Sequence, residues 1–176
     1  MLSTEDNPLR KLTRRDLLKG TTAFGAFVLG AGYVAGTDGA WATEMDALKP
    51  DTFATLVQMA RDIYPHDQVA DEFYVAAVKG YDTPEDADAI TAGIDALNDA
   101  ARNMKGAEYA AVGWERDRVD VLRSMEDDPF FQRIRGGLVT GLYNQKAVWP
   151  IFGYEGESFS KGGYIDRGFD DIAWIG

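Results

Sequence analysis

The sequence predicts an all-α fold, a small bundle of about five helices followed by an irregular C-terminal ribbon at residues 150–176. Between residues 50 and 143, apolar residues recur at helical spacing in five segments, and none of these alternates at the period of a strand. Beyond residue 150, glycines break every window that is long enough for a helix. We therefore expect a helical domain at residues 43–149, with the ribbon after it.

Proline and glycine delimit the first two predicted helices. Pro50 is typical of a first helical turn, because proline lacks an N–H that this turn would leave unpaired anyway. Apolar residues then recur at helical spacing from residue 53 to 64, and Pro65 ends the run. The second helix is predicted at Asp71–Lys79, with Gly80 at its end.

Three longer helices are predicted further along the chain. Thr83 begins the third helix, because its hydroxyl can accept a hydrogen bond from the first turn and Pro84 follows it. Gly106 lies beyond its end. The predicted apolar stripe of this helix is Ile90, Ile94, Leu97, Ala101 and Met104. The last two helices, at residues 114–125 and 129–143, are expected to bury Val119, Leu122 and Met125, and Phe130, Phe131, Ile134, Leu138 and Leu142.

Residues 1–42 have the organisation of a secretory signal peptide, so they are left out of the predicted fold. An arginine pair precedes an uncharged segment at residues 20–36, and this order resembles a twin-arginine signal. The twin-arginine route exports proteins that are already folded, so the signal predicts that this chain reaches the periplasm in its folded state. The residues predicted to be read by the twin-arginine translocase are Arg14, Arg15, Leu18 and Lys19.

The end of the signal is predicted from two small residues. Ala40 and Ala42 form an A-x-A site, which predicts cleavage after Ala42. The alternative is an uncleaved signal that anchors the chain in the membrane. The uncharged segment at residues 20–36 is 17 residues long and includes five glycines, whereas a spanning helix needs about 20 apolar residues. Cleavage is therefore the favoured interpretation.

Composition disfavours several classes of functional site. The chain has no Cys and one His, which disfavours Cys-ligated iron–sulfur clusters, covalent haem and zinc sites. It has no glycine motif for nucleotides and no G-x-S-x-G motif. A formal net charge of −11 disfavours binding to nucleic acid. We predict no catalytic, cofactor-binding or metal-ligating residue in this chain.

The C-terminal ribbon is the predicted partner interface. Its glycines alternate with aromatic residues, which are scarce in disordered segments and supply large areas for burial. An ordered tail that covers its own helical bundle is the alternative, and both can hold. The candidate interface residues, which include Trp149 just before the ribbon, are Trp149, Phe152, Tyr154, Tyr164, Arg167, Phe169 and Trp174.

The ribbon also carries a family resemblance. The segments Val148-Trp149, Phe152-Gly153-Tyr154-Glu155-Gly156, Gly162-Gly163-Tyr164 and Arg167-Gly168-Phe169-Asp170-Asp171-Ile172, with Trp174, resemble the C-terminal signature of the gluconate 2-dehydrogenase subunit 3 family. The segment Ile63-Tyr64-Pro65-His66-Asp67 resembles the first block of that family. The resemblance covers most of the chain beyond residue 42, weakly in the middle and strongly at the end.

The resemblance implies a non-catalytic small subunit. Its partner would be a large flavoprotein of the glucose–methanol–choline type that holds FAD and oxidises a sugar or an alcohol. The large subunit would lack an export signal and travel folded, bound to this chain, which would also stabilise the complex. A multihaem cytochrome c can belong to such complexes. Retention at the inner membrane, through that cytochrome or an uncleaved signal, is the alternative to a free periplasmic complex.

Two questions stay open at this point. A stand-alone periplasmic sugar-binding protein or enzyme is the alternative function, because tyrosine, tryptophan and carboxylate side chains can line a sugar site. His66, the one histidine, could act as a proton-shuttling base. Packing at the end of the first helix is the interpretation that we favour for it.

Overall fold

The computed structural model describes residues 26–29, 33–36 and 42–165, and its helical part confirms the predicted all-α bundle. Three short antiparallel strands come first: β1 (Ala26–Leu29), β2 (Tyr33–Gly36) and β3 (Ala42–Glu44). Five helices follow: α1 (Pro50–Ile63), α2 (Asp71–Lys79), α3 (Ala87–Lys105), α4 (Glu115–Ser124) and α5 (Pro129–Gly141). Single 3₁₀ turns lie at Tyr109–Ala111, Trp149–Phe152 and Ser158–Lys161.

The strands were not expected from the sequence. β1 and β2 lie within the uncharged part of the predicted signal peptide and pair in the register Ala26 to Gly36. β3 begins at Ala42, the last residue of the predicted signal, and pairs with β2. Both β1 and β2 lie against α1.

Helix α1 is the centre of the fold. Every residue from 53 to 60 is buried, including the polar Thr55 and Gln58. The sequence predicted an amphipathic helix with one apolar face. The helix is instead covered on several sides, because α2, α4, α5, part of α3 and the two strands all pack on it.

The predicted helix boundaries are close to those of the structure. The Thr83 hydroxyl accepts a hydrogen bond from the Asp86 N–H at 3.3 Å, so the predicted cap is present although α3 itself begins at Ala87. Gly106 ends α3 with a φ of 76°, a left-handed conformation that glycine adopts without strain. Gly80 follows α2 as predicted, but with a right-handed φ of −61°.

Four residues of the predicted apolar faces are not fully buried. Met104 is 46% exposed, because the last turn of α3 lies at the surface, where Lys105 pairs with Asp117 and Asp120. Val119, Met125 and Phe130 are half-buried. The fully buried face of α4 is instead formed by Arg118, Val121 and Leu122.

Arg118 points inward because it forms an ion pair with Asp62 of α1. The Arg118 Nε donates to Asp62 Oδ2 at 2.7 Å, and Nη2 donates to Oδ1 at 2.9 Å. The two residues are 5% and 6% exposed. Burial alone would lower the pKa of Arg118, but the hydrogen bonds and the attraction of Asp62 outweigh it, so that pKa is raised.

The remaining polar atoms of this ion pair are also satisfied. The Tyr109 hydroxyl donates to Asp62 Oδ2 at 2.7 Å, and Gln58 Nε2 donates to Oδ1 at 3.0 Å. Burial raises the pKa of Tyr109 well above its ordinary value, so its hydroxyl stays protonated as a donor. Arg118 Nη1 donates to the Val112 carbonyl at 2.9 Å. The network thus joins α1, α4 and the segment that connects α3 to α4.

A second carboxylate fixes the segment between β3 and α1. Asp82 accepts hydrogen bonds from the backbone N–H groups of Asp46, Ala47 and Leu48 at 2.7–2.9 Å. Lys79 Nζ donates to it at 2.6 Å. Burial alone would raise the pKa of Asp82, but these donors lower it to about 2. The chain just beyond the predicted cleavage site is therefore tied to the end of α2.

Close helix packing explains a glycine in the middle of the predicted apolar pattern. A Cβ at Gly141 of α5 would lie 2.9 Å from the Ala77 carbonyl oxygen of α2. Because that neighbour is backbone, it cannot move aside without shifting a helix. Helices α2 and α5 therefore approach each other closely where the chain leaves α5 for the ribbon.

Replacing Arg118 with Met should destabilise the fold by about 3–5 kcal/mol, because it leaves the Asp62 carboxylate buried without its cation. Urea unfolding followed by circular dichroism measures the effect. Arg102→Met, which breaks an exposed ion pair, is the matched control and should change stability little. Equal losses in the two variants would contradict the structural importance of the buried pair.

Asp82→Asn should make the free energy of unfolding less dependent on acid. The folded-state pKa of Asp82 lies below its ordinary value of 3.8, so its stabilisation is complete above that value and is lost as the pH falls towards 2. We expect the variant to be about 2 kcal/mol less stable than wild type at pH 7, and the gap to close near pH 2. A gap that is the same at both pH values would contradict the shifted pKa.

Asp46→Asn is the control for this titration. Asp46 contacts the same Lys79, but its side chain is 70% exposed, so solvent screens its charge. Its loss should leave the acid dependence of wild type nearly unchanged.

Candidate partner-binding surface

An aromatic cluster joins the end of α1 to the start of the ribbon. It consists of Tyr64, His66, Tyr143 and Phe152. The Tyr143 ring lies edge-on to those of Tyr64 and His66, with both pairs of ring centroids 5.6 Å apart. Phe152 packs on His66 at 4.9 Å. The segments at residues 63–67 and 152–156, which both carry part of the family resemblance, are therefore in direct contact.

The single histidine is held by a short hydrogen bond within this cluster. His66 Nε2 and the Tyr143 hydroxyl are 2.6 Å apart, and the donor depends on the imidazole tautomer. Burial raises the pKa of Tyr143, so the phenol stays neutral near pH 7. These contacts agree with packing at the helix end, the interpretation that the sequence favoured for His66.

Backbone contacts hold the same region in place. The Tyr74 hydroxyl donates to the Tyr64 carbonyl at 2.5 Å, and burial raises the pKa of Tyr74 to about 12. Gln145 Nε2 donates to the Phe73 carbonyl of α2 at 2.8 Å. The base of the ribbon is therefore fixed to both α1 and α2.

The described part of the ribbon consists of two similar turns. In each, a 3₁₀ turn is followed by a glycine with positive φ, Gly153 at 72° and Gly162 at 86°. A residue with a Cβ would be strained at both positions. The sequence predicted that glycines exclude regular structure here. They do exclude an α-helix, but they end two ordered turns.

Trp149 holds the first turn together. Its indole Nε1 donates to the Tyr143 carbonyl at 2.8 Å, and its ring lies edge-on to Tyr154 at 5.2 Å. Trp149 is half-buried. It was predicted as an interface residue, and in the structure it also sets the shape of the ribbon. The predicted domain boundary between residues 149 and 150 falls inside this 3₁₀ turn.

The outer side chains of the ribbon are exposed to solvent. Eight large apolar residues are exposed in the described part of the chain, and five of them are in the ribbon: Phe152, Tyr154, Phe159, Tyr164 and Ile165. Phe159 is 92% exposed. Packing of the ribbon on its own bundle, the alternative that the sequence left open, engages Phe152 through His66 but leaves most of the Phe159 and Tyr164 side chains in solvent.

Several predicted site residues lie outside the described residues. These are the translocation signal Arg14, Arg15, Leu18 and Lys19, the cleavage-site residue Ala40, and the ribbon residues Arg167, Phe169 and Trp174. The structure therefore brings together Trp149, Phe152 and Tyr154, with Tyr164 further along the ribbon.

Sequence analysis missed a cavity of about 350 Å³ between α1, α4 and α5. Ile63, Val119, Leu122 and Phe131 form its apolar lining, and Asp62 also lines it. Its charged and polar lining residues are Arg123, Glu126, Asp127, Gln132 and Arg135. No sequence motif marks this site, because its residues come from three helices that are separate in sequence.

The described residues offer neither a metal site nor a membrane-spanning helix. Over residues 42–165, no group of three or more His, Asp and Glu side chains is placed to hold a metal ion. None of the helices described here is both long enough and apolar enough to cross a membrane.

Comparison of the chain with protein-family models, with curated proteins and with solved structures found no match. The resemblance to the gluconate 2-dehydrogenase subunit 3 family therefore stays a prediction from the residues quoted above.

Proposed function

We propose that this chain is a non-catalytic small subunit that binds a folded FAD-dependent sugar or alcohol dehydrogenase, escorts it through the twin-arginine route and stabilises the complex. The partner is a flavoprotein of the glucose–methanol–choline type, and the docking surface is the C-terminal ribbon with the aromatic cluster at its base. The observation that carries the proposal is a set of ordered but exposed aromatic side chains on the ribbon.

Energetics favour a partner for this surface. Moving a large apolar side chain from water to a packed site contributes about 1.5–3 kcal/mol. The exposed aromatic residues of the ribbon could therefore supply enough gross burial to offset the cost of association, which is several kcal/mol or more. Tyrosine and tryptophan are also enriched among the residues that dominate protein interfaces.

Order in the ribbon supports the same proposal. Gly153 and Gly162 end its two turns with positive φ, and the hydrogen bond from Trp149 to the Tyr143 carbonyl holds the first turn in place. A surface that is already ordered loses less conformational entropy on binding. The predicted signal peptide at residues 1–42 would supply the export signal that the partner lacks.

The exposed aromatic residues should be needed for binding but not for folding. We expect the double variant Phe159→Ser and Tyr164→Ser to keep the melting temperature of wild type and to bind the flavoprotein at least about tenfold more weakly. Circular dichroism and a quantitative pull-down on the same preparation measure both quantities.

Trp114→Ser is the matched control for this experiment. Trp114 is 70% exposed and lies before α4, away from the ribbon in sequence. This variant should bind the flavoprotein normally. Unchanged binding by the ribbon variant would contradict the docking surface.

Export of the partner should depend on the arginine pair of this chain. Replacing Arg14 and Arg15 with Lys keeps the charge but removes the guanidinium groups. We expect both this chain and the flavoprotein to remain in the cytoplasm, as measured by immunoblotting of cell fractions. Arg10→Lys, a change outside the pair, should leave export intact. A flavoprotein that reaches the periplasm without the arginine pair would exclude the escort function.

A further inference from the structure

The cavity between α1, α4 and α5 has an apolar floor and a charged rim. The apolar surface is formed by Ile63, Val119, Leu122 and Phe131. Asp62 also lines the cavity, but its carboxylate already accepts hydrogen bonds from Arg118, Tyr109 and Gln58. The cavity volume of about 350 Å³ is enough for one large side chain or a small ligand.

Two arginines on this rim have no acidic partner among residues 42–165. Arg123 comes from α4 and Arg135 from α5, and both line the cavity. The other described arginines are engaged: Arg61, Arg102, Arg118 and Arg133 in ion pairs, and Arg116 over the Trp114 ring. Both side chains are exposed, so each is available to an acceptor that arrives from outside.

We infer that this cavity is a second docking point for the flavoprotein, and that it receives an apolar side chain accompanied by a carboxylate. The carboxylate pairs with Arg123 or Arg135, and the apolar side chain fills the floor. Guanidinium groups suit this role because they bind carboxylates through two parallel hydrogen bonds. The inference rests on the proposed function, since it assigns the cavity to the same partner.

Charge on the rim favours a polypeptide over a free anion. Glu126 and Asp127, in the turn between α4 and α5, also line the cavity. Their negative charges disfavour a small ligand that carries only negative charge. A protein surface can instead present a carboxylate to the arginines and neutral or basic groups to the acids.

Position also favours the same partner. Ile63 of the cavity is followed directly by Tyr64 and, two residues later, by His66 of the aromatic cluster. The cavity and the aromatic cluster therefore both include residues at the C-terminal end of α1. An apolar centre with a charged rim is the usual organisation of a protein interface.

Charge reversal at the two arginines tests the inference. The variant Arg123→Glu and Arg135→Glu should bind the flavoprotein, purified with the wild-type chain from its native cells, about tenfold or more weakly. Arg116→Glu, also on α4 but outside the cavity, is the control and should bind within about threefold of wild type. Circular dichroism and the melting temperature establish that each variant is folded.

A cavity-filling variant gives a second, uncharged test. Val119→Trp should occupy the cavity and weaken binding of the flavoprotein to a similar degree. Normal binding by the folded double arginine variant overturns the inference, whatever the result for Val119→Trp.

Two outcomes separate this inference from its alternatives. If the wild-type chain copurifies no flavoprotein, the proposed function fails. If the wild type binds it and the arginine variant binds equally well, only the cavity inference fails. Phenylacetate, an apolar ring with one carboxylate, is the small-molecule probe. If phenylacetate raises the melting temperature of the isolated wild-type chain but not of the arginine variant, and saturating phenylacetate leaves flavoprotein binding unchanged, the cavity is a small-ligand site and docking of the partner is overturned.

Discussion

The buried ion pair of Asp62 and Arg118 is the interaction on which the arrangement of this bundle depends. Removing two charges from water is expensive, and their attraction compensates only when the remaining donors and acceptors are satisfied. Tyr109, Gln58 and the Val112 carbonyl complete that set. Over the described residues, no buried side-chain nitrogen or oxygen lacks a hydrogen-bond partner. Because these partners come from α1, α4 and the segment that connects α3 to α4, the network constrains how α4 packs on α1.

Both candidate surfaces depend on that placement. Asp62 lies in the last turn of α1, and the ion pair sets where α4 crosses it, which opens the cavity beside Ile63 and brings Arg123 to its rim. Just beyond, the chain turns through Tyr64 and His66 to meet Tyr143. The end of α1 is therefore held by the buried ion pair, and the aromatic rings of Tyr64, His66 and Tyr143 pack just beyond it. A change in the buried pair would disturb both the cavity, which Asp62 itself lines, and the aromatic cluster beyond it.

Most of the fold could be predicted, because turn chemistry is local. Pro50, Thr83 and Gly106 mark helix boundaries through their own backbone and hydroxyl groups, and the structure uses all three. Arg118 could not be predicted as a buried residue, since a hydropathy pattern assigns charge to solvent and its partner lies far away in sequence. The cavity was missed for the same reason. The glycines of the ribbon predicted the absence of an α-helix, but the exposure of Phe159 depends on what the turns face.

In the ribbon, one aromatic residue orders the first turn, while others remain exposed to solvent. Trp149, with its hydrogen bond to Tyr143, orders the first turn and remains half-buried. Phe159 and Tyr164 contribute little to that order, because they are largely exposed. Exposure of these rings to water is unfavourable, and burying them against the bundle would lower the free energy of the folded chain. The positive-φ glycines end the two turns that carry these rings. Apolar rings that stay exposed on an ordered turn are available for burial by a second protein, as the proposed function requires.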